Sequence, residues 1–251
     1  MAKIVSITAA RSRSGSCGPP QATVCGFLFG TLKYDFDVQV AFLIDGFNLY
    51  HSLRDASRSQ NLAGRGTRWL DLDGFCRAHL QLIGPTAQLA GIQYFTALAT
   101  HTQKHLPQGV SRHQQYIRCV EDTGIQVVLG RFKQAGTRVC SICGHNSTRY
   151  EEKETDVAVA SHLIEHFVNG DCDCAMIVTG DTDIAAGVKV AKRLFPAKKI
   201  GFVFPFKRQN DELKNLADYS YKVKSKLYLN HQLPNPFTLK NGTQIVKPGH
   251  W

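Results

Sequence analysis

Four aspartates carry the strongest chemical signal in this sequence. The apolar run "VQVAFLID" ends on Asp45, with Asn48 just beyond it, and the run "CAMIVTG" is followed at once by Asp181 and Asp183. Asp156 opens a third stretch, "DVAVASHLIEHFVNG". Carboxylates gathered in one crevice repel one another, and a divalent cation is the simplest way to keep them ionised. Hard oxygen donors select Mg²⁺ or Mn²⁺ over zinc. A cation held this way can polarise a phosphodiester and lower the pKa of a bound water that attacks phosphorus. Two plainer readings stand beside this one. Thr155 or Asp156 can cap a helix, and "GDTD" can be an acidic helix N-terminus suited to the helix dipole.

The elements around these residues must bring them together. "VQVAFLID", "GIQYFTALA", "IQVVLGRF", "CAMIVTG" and "KKIGFVF" are short apolar runs of the kind buried on both faces of a parallel sheet. Helical spacing separates them in "LDLDGFCRAHLQLIG", where Asp71 can cap, and in "VSRHQQYIRCVEDTG", closed by Gly124. In "DVAVASHLIEHFVNG", Val157, Ala160, Leu163, Ile164, Phe167 and Val168 share a face and Gly170 terminates it. "DTDIAAGVKVAKRLF" is a further helix, followed after Pro205 by a short helix near Leu213 and Leu216 and a small strand over 221–227. The alternation predicts a three-layer α/β fold with a mainly parallel central sheet of five to six strands. In such sheets the functional crevice lies beyond the carboxyl ends of the strands, which is where Asp45, Asp181 and Asp183 fall.

Bulk properties narrow the partners. The 251 residues carry a formal charge of +10, and between Lys189 and Lys226 there are 11 Lys and Arg against Asp211, Glu212 and Asp218. That favours a polyanion such as nucleic acid. The runs "AKRLFPAKK", "FKRQN" and "YKVKSK" would follow a nucleic-acid backbone beside the acids, with Lys207 and Arg208 as substrate contacts. Phe204, Phe206 and Tyr219 are weighed as stacking rings but read more simply as core. No apolar run approaches the roughly 18 residues of a membrane span, so a soluble protein without membrane contact is expected. Residues 1–37 have no acid before Asp35 and read as a flexible extension. The eight cysteines lack the density of a small secreted module and imply a reducing, cytoplasmic compartment. Cys76 and Cys119 read as core. Cys140, Cys143 and His145 form half of a zinc-knuckle pattern; a structural Zn²⁺ would need a fourth ligand from a distant residue or a second copy. Two free thiols in a loop over 136–150 read slightly better than zinc, and a redox pair less well than either.

Taken in order, "FLIDGFNLYHSL", "EEKETDVAVASHLI" and "MIVTGDTDIAAGVKVA" resemble the NYN domain, a branch of the PIN-like metal-dependent ribonuclease fold. "CSICGHN", "QLPNPF" and "KPGHW" match features of a bacterial subgroup, and the resemblance runs from about Val38 to Trp251. It implies a domain over 38–229 with an extended tail over 230–251. It further implies Asp45, Asp156, Asp181 and Asp183 as ligands to Mg²⁺ or Mn²⁺, Asn48 as their polar partner, and Thr179 as the small hydroxyl residue where the family commonly has Ser. Lys153 would contact a phosphate or moderate carboxylate repulsion, and reads equally as a solvated surface lysine. The implied activity is endoribonucleolytic hydrolysis of single-stranded or structured RNA by activated water; a homodimer is compatible with the sequence.

Two other classes are weighed against it. One is a nucleic-acid-binding or regulatory module of the same fold that cleaves nothing. The other is a phosphatase with an aspartate nucleophile, which needs a second Asp two residues after the first; here Gly46 and Phe47 follow Asp45. A P-loop with its lysine is not found either.

Overall fold

The computed structural model describes residues 37–59, 62, 66–103, 106–139, 141–144, 146–249 and 251. The expected extension over 1–37 lies outside the described residues except for Asp37, as do Cys140 and His145 of the zinc-knuckle pattern.

Among the described residues, nine strands and seven helices follow in order: β1 (Val38–Asp45), α1 (Gly46–Ser57), α2 (Leu72–Leu80), β2 (Ala87–Ala97), α3 (Pro107–Asp122), β3 (Gln126–Val139), β4 (Asn146–Lys153), α4 (Thr155–Asn169), β5 (Cys174–Val178), α5 (Ala185–Leu194), β6 (Lys199–Phe204), α6 (Asp211–Leu216), β7 (Tyr219–Lys222), α7 (Ser225–Asn230), β8 (Phe237–Thr238) and β9 (Gln244–Ile245). The main sheet has seven strands in the order β4-β3-β2-β1-β5-β6-β7, one or two more than the sequence indicates. Every pairing in it is parallel except β3 with β4.

Strand alternation divides the core into two layers. Val40, Phe42 and Ile44 of β1 face α1, α2, α3 and α7, while Ala41 and Leu43 face α4, α5 and α6. β5 is buried along its whole length, as expected of a central parallel strand covered by helices on both sides. From β1 the chain builds outward through β2 and β3, then returns past β1 to lay down β5 on its other flank. The strand order therefore reverses between β1 and β5, the position at which open α/β sheets form their crevice.

The Asp71 and Gly170 expectations are met: the Asp71 side chain accepts from Gly74 N–H at the start of α2, and Gly170 ends α4 at φ 74°. Cys76 and Cys119 are fully buried, and Phe204 is core.

Several expectations are corrected. The loop expected over 136–150 is largely a hairpin, because β3 continues to Val139 and β4 returns from Asn146. Its polar sequence has no apolar alternation because it is an exposed edge. The small strand expected over 221–227 is β7, ending at Lys222, and Ser225–Asn230 is helical. On α4 the buried stripe is Val159, Leu163 and Phe167, with Val157 and Val168 exposed.

The tail expected over 230–251 is not extended but packed into the core. Leu233, Leu239 and Ile245 are buried, the Trp69 indole N–H donates to Pro234 O at 3.0 Å, and Trp251 lies across Trp69 and Tyr116. Its apolar residues are spaced irregularly because they fill gaps left by other elements, so no local periodicity announces them. No helix among the described residues is long and apolar enough to cross a membrane.

Candidate active site

Asp45 ends β1, buried, and also caps α1 by accepting from Asn48 N–H at 2.9 Å through Oδ1. Its Oδ2 accepts from the Thr179 hydroxyl at 2.8 Å. Thr179 follows β5 directly and is itself buried, and its Oγ1 accepts from Asp181 N–H at 3.1 Å. A second bridge runs from Gly180 N–H to Asn48 Oδ1 at 3.1 Å. The carboxyl ends of β1 and β5 are thus sewn together by four polar residues. The Asp45 carboxylate accepts from the Asn48 and Phe47 backbone N–H groups and from the Thr179 hydroxyl, and its two oxygens together offer about four lone-pair sites.

The turn after β5 is fixed from both sides. Asp181 Oδ1 accepts from Asp183 N–H at 3.2 Å, starting the 3₁₀ turn over Thr182–Ile184 that leads into α5. Gly180 passes so close to the loop after β6 that a methyl group there would fall 1.9 Å from Arg208 O. That approach admits no side chain. On β1's side, a methyl group on Gly46 would meet Phe95 O at 2.5 Å and the Tyr94 ring at 2.7 Å.

The third contribution comes from the hairpin. β3 pairs with β2 only as far as Gly130, then runs past the carboxyl edge of the sheet, and β4 brings the chain back to Lys153 beside Arg131. The return delivers Glu152, opposite Phe132, and then Glu154, which adopts the left-handed conformation at φ 80° immediately before α4. A non-glycine residue in that region costs of order 1–3 kcal/mol and is tolerated where the surroundings fix it. Here Glu154 is held by an ion pair with Arg131. Neither Thr155 nor Asp156 caps α4: the Thr155 hydroxyl instead donates to Glu152 Oε1 at 2.5 Å, and Asp156 sits free of capping in the first turn.

The carboxyls respond to one another. Burial, then the charges of Asp45, Asp181 and Asp183, push Asp156 up to about 6. Burial pushes Glu152 up to about 7, opposed by the Thr155 hydrogen bond and reinforced by Asp45 and Asp156. Asp45 is raised chiefly by burial, partly offset by Asn48 N–H and the Thr179 hydroxyl, with Asp181 adding to the rise. These five carboxyls form one coupled set of hard oxygen donors, the chemistry that suits Mg²⁺ or Mn²⁺. As positioned, no three Asp, Glu, His or Cys among the described residues converge closely enough to chelate one ion.

Glu152 is the site residue that sequence reasoning missed. Its signal was within "EEKETD", but only strand alternation says which glutamate faces the aspartates. Lys153, singled out instead, lies on the opposite face of β4 with Glu151, to which its Nζ bonds at 2.8 Å. Arg208 stands at the rim, its guanidinium paired with Asp55 at 2.7 Å. Lys207 is exposed at φ 61°, its ammonium 5.5 Å from the centre of the Phe206 ring. The run "AKRLFPAKK" leads into the amino end of β6, away from the carboxyl edge, and Lys192, Lys198 and Lys199 are engaged there by Asp218 and Asp173.

Comparisons with known proteins agree with this architecture. Over 199 residues the chain is 27% identical to the 6-hydroxy-3-succinoylpyridine 3-monooxygenase HspA of Pseudomonas putida; the match takes in 66% of this chain and 59% of that protein's length. A crystal structure of a protein of unknown function from Vibrio parahaemolyticus shares the fold with a TM-score of 0.50 at 20% identity, covering 77% of this chain and 97% of the other. The family model of the NYN domain matches residues 39–224, from β1 through β7. With the acids at the β1/β5 reversal all inside the matched span, the chain belongs to the NYN domain family, a nuclease-like family of PIN-like fold.

Proposed function

We propose that this chain is a Mg²⁺- or Mn²⁺-dependent ribonuclease that hydrolyses RNA phosphodiester bonds at the carboxyl edge of its sheet. The observation that carries the reading is the joining of Asp45 to Thr179 and Asp181 across the strand reversal, with Asp156 and Glu152 electrostatically coupled to them. Asp45, Glu152, Asp156, Asp181 and Asp183 would hold the cation. When bound, it supplies Lewis-acid polarisation of the phosphate and a more acidic water.

The chain's own residues do the positioning. Asn48 spends its carbonyl oxygen on Gly180 N–H, leaving its amide NH₂ to donate to a phosphate oxygen. Thr179 fixes the Asp45 carboxylate, and Arg208 adds positive charge at the rim for a polyanion. No side-chain nucleophile is needed, since water attacks. RNA as partner is supported by the net charge of +10, and a cytoplasmic setting by the low density of cysteines. Zn²⁺ at Cys143 with Cys140 and His145 remains a separate proposal, tested by metal analysis of a Cys143→Ser variant.

HspA is named a monooxygenase of a substituted pyridine, but this chain spans just over half of it at 27% identity. The acidic donor set described above favours hydrolysis. The test is cleavage of labelled single-stranded RNA with Mn²⁺. Wild type should cut and Asp181→Asn should lose at least 100-fold; equal cleavage by both, or none by wild type, contradicts the reading.

A further inference from the structure

Next to the acids lies a cavity of about 260 Å³ to which the ribonuclease reading assigns no role. It begins at Gly46 and Phe47, the two residues after Asp45, and runs between α1, the end of β2 and the start of α3. Its walls combine the aliphatic Leu49, Leu53 and Leu106 with six aromatic rings. Tyr94 and Tyr116 meet edge to face at 6.3 Å, Trp251 lies 5.9 Å from Tyr116, and Phe47 faces Phe132 at 6.3 Å. Phe132 pairs across the hairpin with Glu152, so acids and cavity share two of their walls.

The lining is not uniformly apolar. Thr96 lies within hydrogen-bond reach of His113 Nε2 at 3.3 Å, and Arg68 is at the wall, its guanidinium 5.9 Å from the Tyr50 ring. Burial holds His113 down at about 4, so at neutral pH it is an uncharged imidazole able both to donate and to accept. Thr96 and His113 bond to each other, and a purely aliphatic occupant would use none of their remaining hydrogen-bonding capacity. A planar heteroaromatic ring satisfies both halves of the lining, with its faces against Tyr, Trp and Phe and its polar edge toward Thr96 and His113. The volume is below the range usual for drug-sized ligands, about 300–1,000 Å³, which suits one ring system.

We propose that this cavity receives one unstacked nucleobase of the RNA, that of the nucleotide whose phosphate lies at Asp45. The proposal rests on the ribonuclease reading for the identity of its occupant. It gives a role to Gly46 and Phe47, the two lining residues that follow the first aspartate, and to Trp251, which packs against Tyr116 in the wall.

The test measures binding without cleavage. In Mg²⁺, the two indole N–H signals are followed by NMR, Trp251 being assigned through Trp251→Phe, during titration with adenosine and uridine 5′-monophosphates, which hold no phosphodiester bond to cleave, ribose 5-phosphate and nicotinate. At least one nucleotide should shift the Trp251 signal saturably, and ribose 5-phosphate should not. Gly109→Leu fills the cavity from α3, where a Cβ has room at 3.7 Å from Leu106 Cβ, and Phe47→Ala removes a ring already 44% exposed. Each should weaken nucleotide binding at least tenfold, with folding checked by circular dichroism. The proposal is overturned if ribose 5-phosphate matches the nucleotides, if nicotinate binds more tightly than either, or if both variants bind as wild type does. RNA cleavage without nucleotide binding removes the cavity proposal alone. Nucleotide binding without metal-dependent cleavage removes the ribonuclease reading.

Discussion

The hydroxyl of Thr179 donates to Oδ2 of Asp45 at 2.8 Å, tying together two strand ends 134 residues apart in sequence. Thr179→Val keeps the shape and removes the donor, leaving a buried carboxylate short of a partner. An unsatisfied buried group costs about 1–3 kcal/mol. Thr179→Val should therefore lower stability by about that amount in urea unfolding, while Thr179→Ser, which retains the hydroxyl, should stay within about 0.5 kcal/mol of wild type.

Gly180 gives a steric prediction independent of charge. Because a methyl group there would fall 1.9 Å from Arg208 O, Gly180→Ala must push the turn after β5 away from the loop after β6. Overpacking of this kind typically costs about 1–3 kcal/mol. The displaced turn carries Asp181, so Mn²⁺-dependent cleavage should fall more than tenfold even at temperatures where circular dichroism shows the variant folded.

Glu152 links stability to pH. Its carboxyl is raised from 4.5 to about 7, so the folded chain disfavours the ionised form. The resulting penalty is absent below about 4.5, where folded and unfolded forms are both protonated, and complete above about 7. Glu152→Gln keeps an acceptor for the Thr155 hydroxyl and removes the charge. In EDTA it should stabilise the protein at pH 8, on the order of 1 kcal/mol once solvent screening is allowed for, with the gain vanishing near pH 4.5. Mn²⁺ should shrink the gain at pH 8. An equal effect at both pH values would mean that the charge of Glu152 is not the cause.

Legibility in the sequence followed the range of the interactions. β1 and β5 could be read because a strand buried on both faces is a local apolar run, and Asp45 and Asp181 were visible as acids ending such runs. Glu152 was not, since β4 is an exposed edge whose register is set by pairing with β3 rather than by its own pattern. α1 carries Leu49, Leu53 and Ala56 at helical spacing. It was passed over because its cap, Asp45, is also the last residue of β1. The basic run leading into β6 misled because charge density in sequence says nothing of which sheet edge it occupies.

The packed carboxyl-terminal segment yields a prediction about stability. Trp251 meets Trp69 at 6.3 Å and Tyr116 at 5.9 Å although it is the last residue of the sequence. Trp251→Ala should cost about 2 kcal/mol, somewhat below the 3–5 kcal/mol of a fully buried aromatic because the ring is only partly covered. A melting temperature unchanged within a degree would show that the segment does not contribute to the core.

The central claim is that the acids at the β1/β5 reversal form one cation site, and it is tested most directly by anomalous diffraction from crystals grown with Mn²⁺. The account predicts an anomalous peak among Asp45, Glu152, Asp156 and Asp181 that disappears in Asp181→Asn. A peak confined to other residues, or none among these carboxylates at saturating Mn²⁺, would contradict it.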